Sequence, residues 1–200
     1  SVSGVTLTTQ SPEGLALQGK MMAAAETTWD RNFDFMNDVD NLVNTGKPIV
    51  DAGMHHQVCI ALMGLPFHSD KVHTADFYID VIRRLLERDI HIDSVCMKDA
   101  SGTTDPKTVY DTAVGLKKIL PPEVILWQHT HDTASMAVSC YMAGIEGGVD
   151  GIEQRVGGYR ITGDESVHGT FDECTITHAL RHGEHVVPGG RRPRRRLGDR

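Results

Sequence analysis

VILWQHTHDT, residues 124–133, predicts a buried strand that ends in a possible binding site. Its apolar first half is typical of a strand covered on both faces. Side chains two residues apart in a strand point the same way, so His129 and His131 leave the strand end side by side and can bind one metal ion. Such a pair alone is more often a packed or solvated strand end than a metal site.

Two further strands are predicted upstream, and one of them also ends in chemically capable groups. Residues 57–63, QVCIALM, are almost wholly apolar. Residues 92–102, IDSVCMKDASG, form an apolar run that ends in Lys98 and Asp99. A lysine at a strand end is usually solvated, so Lys98 gains significance only from its setting, which resembles that of the histidine pair.

Helices are predicted between the strands. Ser11 with Pro12, and Asp105 with Pro106, are typical of an N-cap followed by the first helical position. Apolar residues at helical spacing over residues 74–88 predict an amphipathic helix.

Two more helices are predicted from turn signals and small residues. Asp38 predicts the start of a short helix that ends near Gly46, and Pro48 predicts a break before any continuation. A run of small residues from about Thr133 to Ile145 predicts the other helix.

The alternation of strands and helices predicts an α/β fold with a parallel sheet. A doubly wound sheet and a (β/α)8 barrel both fit this pattern. In either fold, functional groups gather at the carboxyl ends of the strands, where Lys98, His129 and His131 are predicted to lie. No Gly-x-Gly-x-x-Gly, Gly-x4-Gly-Lys-Ser/Thr or Gly-x-Ser-x-Gly motif supports nucleotide binding or an α/β-hydrolase site.

Composition predicts an ordinary globular domain. The chain has 200 residues, of which 40% are hydrophobic and 24% charged, and its apolar runs are too short for a transmembrane segment. Because no signal-peptide pattern is present, we expect a cytoplasmic location. The four cysteines form no Cys-x-x-Cys pair, which favours free thiols over disulfides.

The charge is unevenly distributed along the chain. The formal net charge is −7, yet six arginines lie in the last ten residues. The acidic remainder argues against nucleic-acid binding by the folded part. The Arg-rich end predicts a solvated, disordered tail.

Five sequence blocks follow one another along the chain: FDFMND at 33–38, HT at 73–74, MKDASG at 97–102, HTHDT at 129–133 and AGIEGGVD at 143–150. In this order they resemble the carboxyltransferase domain of biotin-dependent enzymes, which include pyruvate carboxylase, the oxaloacetate decarboxylase alpha subunit and the transcarboxylase subunit acting on pyruvate. The match extends over about Ser11 to Ile152.

The resemblance implies a partial TIM (β/α)8 barrel that corresponds to strands four to eight of the family fold. The first three β/α units of that fold, with their metal-binding aspartate, have no counterpart in this sequence. We therefore expect a partial carboxyltransferase barrel over residues 1–185 and an Arg-rich, disordered tail over residues 186–200.

The resemblance also implies the site. Lys98 matches the catalytic family lysine that is carbamylated and binds the metal, and His129 and His131 match the two metal-binding histidines. An ammonium cannot coordinate a cation, whereas a carbamate supplies an anionic oxygen. This ligand set suits Zn²⁺, Mn²⁺ or Co²⁺.

The implied reaction transfers a carboxyl group between carboxybiotin and pyruvate, as pyruvate carboxylation or oxaloacetate decarboxylation. Biotin is expected on a carboxyl carrier domain of another domain or subunit, and the protein is expected as a homo-oligomer or a complex. One alternative is a lyase of the 3-hydroxy-3-methylglutaryl-CoA lyase type, which shares the His-x-His pair but usually lacks a lysine at the position of Lys98. Another is an inactive fragment or interaction module, which the missing three β/α units and the Arg-rich end indicate; its open barrel would expose sheet edges and is expected to aggregate or associate tightly.

Overall fold

A computed structural model describes residues 10–67, 69–156 and 174–179. Helices and strands alternate through residues 12–156, as the sequence predicts. The helices are α1 Pro12–Ala24, α2 Val39–Asp51, α3 Ala75–Leu86, α4 Pro106–Ile119 and α5 Ala137–Glu146. The strands are β1 Trp29–Asp34, β2 His55–Ala61, β3 Ser94–Asp99, β4 Ile125–Thr130, β5 Gly151–Val156 and β6 Cys174–Ala179.

The strand order distinguishes the two folds that the sequence left open. Strands β1 to β5 are parallel and lie side by side in chain order, and β6 pairs with β5 in the antiparallel direction. Because crossovers between parallel strands are right-handed, an order that never reverses puts all the helices on one face. A doubly wound sheet reverses its order and carries helices on both faces. The prediction of a partial barrel is confirmed.

The sheet is strongly curved. Arg31 on β1 forms an ion pair with Glu153 on β5, although three strands lie between them. In a flat sheet, four interstrand steps separate these strands by about 19 Å, more than the two side chains can span. The strands therefore curl around a concave face, which is the inner side of the barrel.

The hydrophobic core lies between the convex face of the sheet and the single layer of helices. Neighbouring helices contact one another from α1 to α5. Alternate residues of each strand point into this core, since successive strand side chains face opposite sides. The largest apolar contributors are Val58, Ile60, Met97 and Leu126 from the sheet, and Leu42, Tyr78, Ile82, Leu85 and Leu116 from the helices.

Two predicted helices have different bounds in the structure. Helix α2 is continuous through Pro48, so the predicted break is wrong; Pro48 lies in the last turn, where it removes only one donor while the buried face of α2 holds the helix on the sheet. Helix α5 begins at Ala137, later than predicted, because Ser135 has a φ of 58° that a right-handed helix cannot include.

Other predictions are confirmed or untested. Ser11 and Asp105 cap α1 and α4 with their side-chain oxygens, as predicted, and Thr74, for which no cap was predicted, does the same for α3. Cys59, Cys96 and Cys140 are buried free thiols. Within the described residues, none of the helices is long and apolar enough to cross a bilayer. The predicted domain end at residue 185 and the Arg-rich segment 186–200 lie outside the described residues.

Candidate active site

Three polar side chains form a row at the carboxyl ends of neighbouring strands. Lys98 on β3 is in register with His129 on β4, and His129 is in register with Glu153 on β5. Paired residues of parallel strands share a face of the sheet, and this row shares the concave face with Arg31. The structure thus brings together Lys98 and His129, which lie 31 positions apart in the chain.

His131 lies next to His129, just beyond the end of β4. The centroids of the two imidazole rings are 5.1 Å apart, and the ring planes are inclined by 74°. His129 is buried, whereas His131 is half-buried. Both rings therefore lie at the same strand end, as the spacing of two residues predicts.

The surroundings of His129 favour its neutral form. Burial lowers the pKa of His129 to about 4, assisted by the nearby cations Arg31 and Lys98 and opposed by the Glu153 carboxylate. Its Nδ1 atom is buried and makes no hydrogen bond within the described residues. A buried polar atom without a partner costs free energy, and a neutral imidazole nitrogen is a metal ligand. The ring therefore suits an added cation.

Lys98 packs against an aromatic ring of the first strand. Its Nζ atom lies 4.5 Å from the centroid of the Phe33 ring. Such a contact stabilises an ammonium by about 0.5–2 kcal/mol and holds the flexible side chain over the concave face. Phe33 lies in one of the five matched blocks, but sequence reasoning assigned it no contact with Lys98.

The loop that follows Lys98 is held in place by Asp99 and Gly102. The buried Asp99 carboxylate accepts hydrogen bonds from the backbone N–H groups of Ser101, Gly102 and Thr104 at 3.1, 2.7 and 2.8 Å. The His131 N–H donates to the Asp99 carbonyl at 2.9 Å. Asp99 thus fastens the strand end that carries Lys98 to the one that carries the histidines.

Tyr141 on α5 ties β4 to β5. Its hydroxyl accepts from the Thr130 N–H at 3.1 Å and lies 2.6 Å from the Glu153 carbonyl oxygen, to which it donates. Burial raises the pKa of Tyr141 to about 12, so the hydroxyl keeps its proton at neutral pH. This contact maintains the register between His129 and Glu153.

Arg31 and Glu153 are site residues that sequence reasoning missed. The Arg31 Nε–H donates to Gln57 Oε1 at 2.5 Å, and Nη2 binds Glu153 Oε2. The sequence of β1 did carry a signal for Arg31, namely the alternation of its side chains. Arg31 and Phe33 alternate with Asp30, Asn32 and Asp34, which face the helices. Only the assumption of a barrel, however, makes the alternate residues of β1 face the end of β5.

A metal ion at this site would need a ligand beyond the two imidazoles. Among the residues that the structure describes, no three His, Cys, Asp or Glu side chains approach closely enough to hold a metal ion. The adjacent imidazoles and the unsatisfied Nδ1 of His129 fit a cation, but two neutral ligands are too few for a stable site. A carbamate on Lys98 would supply the anionic oxygen that the set needs.

A separate cavity of about 840 Å³ opens at the ends of β2 and β3. Its walls are the segment from Met63 to Phe67 and the first turns of α3 and α4. Lys98, His129 and His131 do not line it. This cavity is therefore distinct from the row on the concave face.

Comparison with known sequences reveals a matching family and several relatives. Residues 69–163, which include Lys98 and both histidines, match the sequence model of the HMGL-like family. The methylmalonyl-CoA carboxyltransferase 5S subunit of Propionibacterium freudenreichii subsp. shermanii is 29% identical over 126 residues, or 63% of this chain and 24% of that protein. A pyruvate carboxylase polypeptide of Methanocaldococcus jannaschii is 33% identical over 125 residues, or 62% of this chain and 20% of that protein. The chain thus spans a quarter or less of these relatives.

Solved structures match the fold. The carboxyl transferase domain of Rhizobium etli pyruvate carboxylase superposes with a TM-score of 0.67 at 21% identity, covering 77% of this chain and 25% of that chain. The same domain has been solved with pyruvate and biocytin. The chain is therefore similar in sequence and fold to the carboxyltransferases of biotin-dependent enzymes, as the five blocks predicted.

Proposed function

We propose that this chain is the metal-binding part of a biotin-dependent carboxyltransferase and that Lys98, His129 and His131 hold a divalent metal ion. One observation carries the proposal: Lys98 and His129 are in register on adjacent strands of the concave face, with the His131 ring beside them. The relatives, which are carboxyltransferases and pyruvate carboxylases, support the reaction class.

Lys98 is proposed to act as a carbamate. The ammonium first loses a proton. The neutral amine then attacks carbon dioxide, so that a nitrogen–carbon bond forms and a second proton leaves, and the charge of the side chain changes from positive to negative overall. The carbamate oxygen and two neutral imidazoles suit Zn²⁺, Mn²⁺ or Co²⁺. When bound, such an ion polarises the carbonyl of a keto acid and stabilises negative charge on its oxygen.

The remaining side chains of the concave face suit a small anionic substrate, for which we propose pyruvate or oxaloacetate. Arg31 stays protonated at any physiological pH and gives the face a permanent positive charge beside Glu153. Phe33, and Trp127 two residues before His129 on the same face of β4, add apolar surface. Apolar surface excludes water and strengthens electrostatic interactions. Carboxyl transfer uses biotin carried by another domain or subunit, in a homo-oligomer or complex. The buried free thiols support a cytoplasmic location.

A second candidate is a lyase of the 3-hydroxy-3-methylglutaryl-CoA lyase type. The HMGL-like match favours it, because that match contains the His-x-His pair. Lys98 argues against it, since such lyases usually lack a lysine there. Assays of oxaloacetate decarboxylation with free biotin, and of acyl-CoA cleavage, distinguish the two candidates.

Metal content tests the site directly. Purified protein is incubated with Mn²⁺ and bicarbonate, and bound metal is measured by mass spectrometry. We expect roughly one ion per chain, lost in Lys98→Ala and His129→Ala. Lys118→Ala and His91→Ala change exposed residues of the same types and serve as controls that keep the metal. Equal metal content in all five proteins would refute the site assignment.

A further inference from the structure

Three side chains are a small ligand set for a transition-metal ion, which in proteins is usually held by four or more ligands. We propose that Glu153 is a further metal ligand, binding through Oε1. This inference rests on the proposed function, because it assumes that Lys98, His129 and His131 bind the same ion. It adds a residue that neither the spacing of the motif nor the resemblance identified.

Position is the first argument for Glu153. It occupies the next place in the row after Lys98 and His129, on the adjacent strand and the same face of the sheet. Its Oε1 atom lies 3.9 Å from Nδ1 of His129, the buried nitrogen without a hydrogen bond in the described residues. Two ligand atoms of one tetrahedral zinc ion lie about 3.3 Å apart, so a shift of well under 1 Å suffices.

Charge is the second argument. A carboxylate and a carbamate together neutralise a divalent cation, whereas the imidazoles contribute no charge. Glu153 also has a different partner for each oxygen, because Arg31 binds Oε2 while Oε1 faces His129. Metal binding at Oε1 therefore leaves the ion pair intact, and Arg31 orients the ligand in the way that outer partners orient carboxylates at metal sites.

Binding requires the side chains to converge, since His129, His131 and Glu153 do not form a metal-binding cluster as they stand in the described residues. His131 is half-buried and lies beyond the last residue of β4, so its ring can turn without disturbing the sheet. The position of the Glu153 carboxylate has a competing explanation, in which Glu153 is only the structural ion-pair partner of Arg31. The test must separate these two roles.

Cobalt titration separates them without an activity assay. Metal-free protein is titrated with Co²⁺ in bicarbonate buffer, and visible absorption reports both affinity and ligand geometry. Glu153→Gln keeps the shape of the side chain but removes its charge. Arg31→Gln removes the ion pair but keeps the carboxylate. Glu146→Gln makes the same exchange at the exposed end of α5 and serves as the matched control.

We expect Glu153→Gln to weaken cobalt binding by about tenfold or more and to change the absorption spectrum. Glu153→Asp should recover part of the affinity, and Glu146→Gln should bind as the unchanged protein does. Arg31→Gln removes only the residue that orients the carboxylate, so it should weaken binding less than Glu153→Gln and leave the absorption spectrum unchanged. Equal weakening by Glu153→Gln and Arg31→Gln, with the spectrum unchanged in both, would overturn the inference, because loss of the ion pair would then explain both. So would unchanged binding by Glu153→Gln. If Glu153→Gln binds normally but His129→Gln abolishes binding, the inference fails and the proposed function survives. If the unchanged protein binds no cobalt, the inference and the proposed function both fail.

Discussion

Replacing Gly102 by alanine tests how closely the loops after β3 and β4 pack at the candidate site. Gly102 has a φ of 66°, and a Cβ there would lie 2.5 Å from the His131 carbonyl oxygen and 2.8 Å from the Thr133 nitrogen. The left-handed backbone costs an alanine about 1 kcal/mol. Overlap with backbone atoms that cannot rotate away costs about 1–3 kcal/mol more. We expect Gly102→Ala to lower the free energy of unfolding by about 2–4 kcal/mol.

Gly53 offers a control for the backbone contribution. Its φ is 78°, and no atom lies within 4 Å of the position that a Cβ would occupy. Gly53→Ala therefore carries only the cost of the left-handed conformation, about 1 kcal/mol. The difference between the two variants isolates the steric contact between Gly102 and the His131 loop.

Urea and thermal unfolding, followed by circular dichroism, measure both variants. In a chain of this length, each kcal/mol lowers Tm by about 2–4 °C, which predicts about 3 °C for Gly53→Ala and about 6–12 °C for Gly102→Ala. Equal losses in the two variants would refute the reasoning, because they would mean that the loop carrying His131 does not pack against Gly102.

Two further predictions concern Tyr141, whose hydroxyl joins two strands, and, separately, the buried His56. Tyr141→Phe deprives the Thr130 N–H and the Glu153 carbonyl of their partner, so urea titrations should show a loss of about 1–3 kcal/mol; unchanged stability would contradict this role. Burial lowers the pKa of His56, whose Nδ1–H donates to the His91 carbonyl. As the pH falls, the unfolded chain therefore protonates the His56 imidazole before the folded protein does. The stability that neutral His56 contributes is fully present above about pH 6.5 and declines below it. Between about pH 7.5 and about pH 5.5, His56→Gln should lose less stability than the unchanged protein, and equal losses would count against the explanation.

Local signals in the sequence predicted most of the secondary structure. Ser11 and Asp105 cap their helices as expected, because an N-cap depends only on the side chain and the next few backbone N–H groups. Local signals failed where distant contacts intervened. Pro48 does not end α2, since the buried face of that helix is held on the sheet, and nothing in the local pattern predicted that β6 would pair with β5.

The candidate site was only partly predictable. The spacing of His129 and His131 predicted two adjacent rings, because strand geometry repeats every two residues. The five matched blocks pointed to Lys98. The same blocks contain residues that act structurally: Asp99 fastens two loops, and Asn37 exchanges hydrogen bonds with the backbone of Ala61 at the ends of β1 and β2. Residue types in a motif do not by themselves distinguish a residue that takes part in the site's chemistry from one that only supports the structure.

The sequence alone was sufficient for the alternation of strands and helices, for the helix caps and for two strand ends that carry Lys98 and the histidines, because periodicity and turn chemistry act over a few residues. It could not predict the row that continues to Glu153 or the ion pair that Glu153 forms with Arg31, 122 positions away. These depend on strand register and on the curvature of the sheet, which arise only when distant segments pack together.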